Sequence, residues 1–207
     1  MSEPPDDATS LYLDAATTFA DVVADIDASA WGGPGLGAWD LRGLVGHTSR
    51  ALVTVLTYLD QPADVEAIDS PEQYYALAAR QSTDADAVAE RGRRAGEDLG
   101  PEPAEAVQHL VERVRRKVDA ADPEALIAVL GGGMRVGNYL PTRTFELVVH
   151  SLDISAATGM DVPLSMPVLA HTAALGARIA VALGEGQVVL TALTGRRPLP
   201  AGFSVVG

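Results

Sequence analysis

Residues 143 to 153, RTFELVVHSLD, place the strictest condition on how this chain can fold. Read as a helix, the stretch sets Glu146 and His150 one turn apart on a single face, about 6 Å from each other. Asp153 falls three residues further along that face. The surrounding side chains, Phe145, Leu147, Val148, Val149, Leu152 and Ile154, are apolar, so the helix is expected to be buried nearly all round. A carboxylate and an imidazole in that setting need partners, because an unpaired buried charge is strongly unfavourable. Either they pair with one another as a satisfied core group, or a third ligand from elsewhere meets them on a metal ion.

A helix buried on all sides needs other helices around it. Hydrophobic residues make up 47% of the 207, yet only three are Phe and two are Trp, so Ala, Leu and Val must build a closely packed core. Helical spacing predicts a first helix from Ser10 to Asp27. Asp40 is an N-cap for a second, Leu41 to Leu59, with Trp39 placed to staple onto Leu44. Between them WGGPGLGAW reads as a structured loop pinned by Trp31 and Trp39. Ser70 and Pro71 open a further helix. The polar run from Thr83 to Leu99 continues it or forms another, with Arg91, Arg93 and Arg94 on a wet face. A helix from Ala104 to Ala120 follows, with His109 off its apolar stripe. Then LIAVL, GGG and MRVGNYL suggest two extended runs across a glycine turn, or an irregular loop.

Pro141 and Thr142 are expected to launch the central helix and Gly159 to end it. A last helix runs from Met166 to Leu183, with His171 less clearly buried, and the tail QVVLTALTGRRPLPAGFSVVG reads as a terminal hairpin. The sum is an all-α fold: an up-down four-helix bundle with a long crossover between the second and third major helices, plus small β-hairpin additions near the C-terminus. Residues 1–9 are expected to be a flexible amino terminus, 10–160 the bundle, and 161–207 a helix and hairpin packed on it.

The formal net charge of −13 disfavours nucleic acid and anionic membrane surfaces, and no basic stripe with interleaved aromatics offsets it. No apolar run reaches the length of a membrane span and MSEPPDDATS is unlike a signal peptide, so a cytoplasmic location is expected. The expected state is a monomer or homodimer. The absence of cysteine excludes disulfides, thiolate metal ligands and a protein thiol nucleophile. Sulfur chemistry would need a thiol from outside.

His47 sits at the edge of the stripe Leu41, Leu44, Val45, Leu52 and Val55, semi-buried and inward facing, as a core histidine or a ligand. Two stretches about a hundred residues apart then point the same way. WGGPGLGAWDLRGLVGHTSR resembles the amino-terminal signature of the mycothiol-dependent maleylpyruvate isomerase family, within the DinB-like metalloenzyme superfamily. LPTRTFELVVHSLDISAATG resembles its second signature, E-x-x-x-H-x-x-D, and VVLTALTGRRPLP is similar to the tail of short members.

The resemblance implies that His47, Glu146 and His150 ligate a divalent ion, usually zinc in this family. It implies that Asp153 orients a histidine or a water, and that mycothiol is the cosubstrate. Two imidazoles and one carboxylate leave a coordination position open, as at catalytic zinc sites. An ion there can lower the pKa of a thiol. The expected activity is thiol-dependent isomerisation or S-transfer on a small electrophile. Arg143, one turn before Glu146, either anchors a substrate carboxylate or pairs with Glu146 or Asp153. Asn138 and Tyr139 are pocket residues or part of a packed turn. The other readings are a non-catalytic metal-binding or small-molecule-sensing bundle, and a zinc hydrolase with Asp153 as base.

Overall fold

The computed structural model describes residues 7–80 and 85–206. The expected flexible amino terminus and the start of the polar helix at Thr83 therefore lie partly outside the described residues. Asp7 caps the first helix by accepting from the Ser10 amide at 2.7 Å, so α1 already runs Ala8–Ala24. Residues 8 and 9 are thus helical rather than flexible.

The other elements follow in chain order: α2 Leu41–Tyr58, β1 Glu66–Ile68, α3 Pro71–Arg80, α4 Ala85–Asp98, α5 Pro103–Asp119, β2 Leu126–Val129, β3 Gly132–Arg135, α6 Val136–Thr158, α7 Met166–Ala182 and α8 Gly186–Leu193. Helices α1 and α2 each pack against both α5 and α6, which makes these four the bundle. The connection from α2 to α5 carries β1, α3 and α4, as the expected long crossover. Among the described residues no helix is long and apolar enough to cross a membrane.

The core follows the helical spacing of the sequence. Phe19, Leu44, Leu52, Val114, Leu147 and Ile154 are fully enclosed, and burial of a side chain of this size contributes about 1.5–3 kcal/mol. Helix α6 is enclosed nearly throughout, with Leu152 turned outward. It begins at Val136, five residues before the expected start, so Pro141 lies inside the helix. Proline removes a backbone donor and is normally confined to a first turn. Here enclosure of Tyr139 and Leu140 in the bundle outweighs that local preference. The helix ends as expected at Gly159, whose φ of 73° is left-handed.

The glycine-turn hairpin forms, with β2 antiparallel to β3 and Ile127 opposite Met134. Strand β1 adds to β3 in parallel, which the sequence did not signal. The tail departs from expectation: Gly186–Leu193 is helix, and no strand occurs among the described residues beyond it. A short apolar run cannot be assigned by periodicity alone. In QVVLTAL, Val188 and Ala192, four apart, are half-buried, and α8 packs against α7.

Candidate metal centre

Two helices supply the site. On α6, Glu146, His150 and Asp153 lie in line because the spacing of four and three keeps them on one face. On α2, Asp40 starts the helix by accepting from the Gly43 amide at 2.7 Å, which fixes the turn on which His47 stands. The His47 and His150 rings meet edge to face at 4.8 Å between centroids. One ligand atom from each of His47, Glu146 and His150 lies within 4.8 Å of the others, in a grouping that could hold a metal ion.

Each of these groups is held by a neighbour. His150 is gripped at both nitrogens: Nδ1 lies 2.9 Å from Asp153 Oδ2, and Nε2 lies 3.4 Å from Glu146 Oε2. Burial opposes its positive charge, but the hydrogen bonds to Asp153 and then Glu146 prevail and raise its pKa to about 9. Burial likewise opposes the Glu146 charge. His150, Arg143 and the Tyr75 hydroxyl outweigh it and hold the carboxyl well below the usual range. The single Tyr75 hydroxyl proton is donated to Glu146 Oε1 at 2.7 Å, and the Thr142 carbonyl lies 3.0 Å from the same hydroxyl oxygen. Its own pKa is pushed well up, first by burial and then by the Glu146 charge, so it remains a donor.

His47 behaves in the opposite way. Burial, followed by the His150 charge, depresses its pKa to about 4, so it is neutral at neutral pH. Its Nδ1 is buried with no hydrogen-bond partner among the described residues, which carries a cost of about 1–3 kcal/mol for a neutral polar group. A neutral imidazole with an unsatisfied nitrogen, a carboxylate that stays ionised and a second imidazole oriented by an aspartate form a donor set suited to a divalent ion. The residues fit the group.

Trp39 shapes the site as well, beyond the staple expected of it. Its ring stacks on His47 with centroids 4.4 Å apart, and its Nε1 donates to the Ala89 carbonyl of α4 at 2.8 Å. Helix α4 approaches closely enough to accept that bond because it carries glycine at the contacts. A Cβ on Gly92 would lie 2.4 Å from Trp39 Nε1, and one on Gly46 would lie 2.1 Å from the Gly96 nitrogen.

Beside His47 and Glu146 opens a cavity of about 150 Å³, walled in part by Arg50, Tyr74, Tyr139 and Arg143. Arg143 makes no ion pair with Glu146 or Asp153 within 4 Å among the described residues. Its guanidinium lies 5.1 Å from the Tyr139 ring centre and 5.4 Å from that of Tyr74, and its Nε donates to Thr142 Oγ1 at 3.0 Å. Tyr139 lines the cavity. Asn138 does not: its amide donates to the Asp69 carbonyl at 2.7 Å and serves the packed turn. Asp153 also stands outside the cavity wall, behind His150. Tyr75 and the stacking role of Trp39 were not read from the sequence, since a phenol or indole brought in by tertiary packing leaves no local pattern. His109 is exposed, and Arg91, Arg93 and Arg94 point to solvent, as expected.

The topology and the converging His, Glu and His side chains define a class: all-α bundles of the DinB-like type with a His-Glu-His grouping that could hold a metal ion. Within that class the chain belongs to the family described as mycothiol maleylpyruvate isomerase N-terminal domain, whose model matches residues 12–155. The match takes in His47, Glu146, His150 and Asp153 and stops short of α7 and α8. No curated protein and no solved structure matches the chain.

Proposed function

We propose that this chain is a metal-dependent, mycothiol-dependent isomerase or S-transferase acting on a small electrophile, with His47, Glu146 and His150 as the ligands of a divalent ion, zinc for preference. The observation that carries the reading is the convergence of those three groups, two of which, His47 and Glu146, line a cavity that also presents Arg143, an arginine with no carboxylate within ion-pair distance among the described residues. A bound divalent ion would supply positive charge that holds a low-molecular-weight thiol as thiolate near neutral pH.

The chain's own residues do the rest. Asp153 fixes the His150 ring by accepting from Nδ1, which leaves Nε2 for the ion. Tyr75 fixes the Glu146 carboxylate from the opposite side. Arg143, flanked by the faces of Tyr74 and Tyr139, keeps its charge directed at the cavity and would bind a substrate carboxylate there. A partly open space near 150 Å³ is about the volume that admits one benzene-sized molecule. The electrophile therefore fits inside and the body of the thiol stays outside. With the substrate so held, the thiolate sulfur adds to an activated double bond, the resulting single bond rotates, and elimination of the same thiolate restores the double bond in the other geometry. On a substrate with a leaving group the thiolate sulfur instead bonds to the carbon that bears it, that carbon's bond to the leaving group breaks, and the group departs with the electron pair as an anion, which gives S-transfer.

The hydrolase reading would need Asp153 to act as a base facing the cavity, whereas Asp153 is engaged behind His150. The test is metal analysis of purified protein together with turnover of unsaturated and halogenated small carboxylic acids, with and without mycothiol. Turnover that requires both metal and thiol is expected. Thiol-independent hydrolysis, or metal binding with no turnover under any condition, would reject the proposal.

A further inference from the structure

Helices α7 and α8 present a face that solvent does not explain. Between Val162 and Gly195 the only charged side chains are Arg178 and Glu185, and Arg178 pairs with Glu72 of α3. Outward along α7 stand Met166, Ala170, Ala173, Ala174 and Val181, with Met166 75% and Val181 67% exposed. On α8, Val188 and Ala192 are half-buried, while Leu190 and Leu193, one turn apart, are 62% and 76% exposed. Large apolar side chains gathered on one face mark an interaction surface rather than scattered exposure.

The ends of α8 indicate what covers it. Glu185 stands at its N-terminus, and no described residue forms an ion pair with it. Arg196 and Arg197 stand at its C-terminus, held there because both backbone amides donate to the Thr191 carbonyl, and neither has a carboxylate partner among the described residues. The helix is eight residues long, about 12 Å. If two such helices lie antiparallel, the glutamate of each meets the arginine pair of the other at both ends, with the four leucines between them. A glutamate at the start and arginines at the end also suit the dipole of α8 itself, but that does not account for Leu190 and Leu193.

We propose that the α7–α8 face is a docking surface for a second copy of this chain, with the two α8 helices antiparallel about a twofold axis. A twofold interface is self-complementary by construction, and this face carries both halves of its own charge pattern. The proposal does not depend on the metal site or on any activity.

The test is the mass of the full chain by light scattering and sedimentation between about 1 and 200 µM, the range in which modest homodimers form. A dimer is expected. Leu190→Glu with Leu193→Glu, both at outward positions, should weaken it by about tenfold or more with unchanged helical circular dichroism. Glu185→Arg alone, or Arg196→Glu with Arg197→Glu, should weaken it. The three charge changes together should restore it. A wild-type monomer across the range overturns the proposal, whether or not it binds neutral lipid vesicles. So does a dimer indifferent to the leucine changes, and so does failure of the combined charge reversal to restore association.

Discussion

Replacing Asp153 by Asn should reduce metal affinity by an amount that depends on pH, and the direction of that dependence follows from the geometry. In the wild type, His150 Nδ1 lies 2.9 Å from Asp153 and its pKa is about 9. At pH 7 a metal ion must therefore displace a proton, a competition worth about two powers of ten. By pH 9.5 that competition is nearly gone. The asparagine keeps a hydrogen bond but loses the charge, so two effects oppose each other. The imidazole becomes a weaker ligand, about 10–100-fold in affinity, and it also binds its competing proton less tightly.

At pH 7 the two changes largely offset and the variant should stay within a few-fold of wild type. At pH 9.5 only the weaker ligand remains, and the full loss of about 1.4–2.7 kcal/mol should appear. Chelator-competition titrations at the two pH values measure the difference. Calorimetry in buffers of different ionisation enthalpy should also show about one proton released per ion at pH 7 by the wild type and fewer by Asp153→Asn. An equal loss at both pH values, or a larger one at pH 7, would refute the placement of Asp153 behind a metal-binding His150.

Other expectations follow from the same contacts. His47→Ala and His150→Ala should each remove most bound metal from a protein that remains helical, and stoichiometric metal in both variants would exclude the site. In the metal-free protein, stability should peak near pH 6.5. The raised pKa of His150 gives stability that is full below its unfolded value and is lost as pH rises through about 9, while the lowered pKa of His47 gives stability that is lost as pH falls toward about 4. Urea titrations with chelator present test both limbs. Gly92→Ala should cost about 1–3 kcal/mol by overpacking against Trp39 and should weaken metal binding as well; normal affinity would mean that the Trp39 stack does not position His47. Arg143→Gln should raise KM for carboxylate substrates with little change in metal content, and a fall in kcat alone would remove its anchoring role.

The part of this site legible in the sequence is the part that is local. Glu146, His150 and Asp153 share one helix, so their spacing alone aligns them, whereas His47 drew its significance from a second stretch a hundred residues away. Tyr75 gave no sign of its role, because its bond to Glu146 depends on α3 returning from the crossover to lie beside α6. The C-terminal stretch misled for the converse reason. Val188, Val189 and Leu190 favour a strand by propensity, and only α7 beneath them selects the helix. Pro141 misplaced the start of α6 because a local preference was outweighed by enclosure of its neighbours.

The three residues that could hold a metal come from α2 and α6, as do Arg50, Tyr139 and Arg143 of the cavity wall, while α3 adds Tyr74 and the turn after β2 adds Leu130. One part of the cavity wall is thus built by polypeptide that supplies none of the three metal-holding groups. Exchanging the crossover segment between sister sequences should therefore reshape the side of the cavity formed by Tyr74 while the ion-holding pair of helices stays as it is.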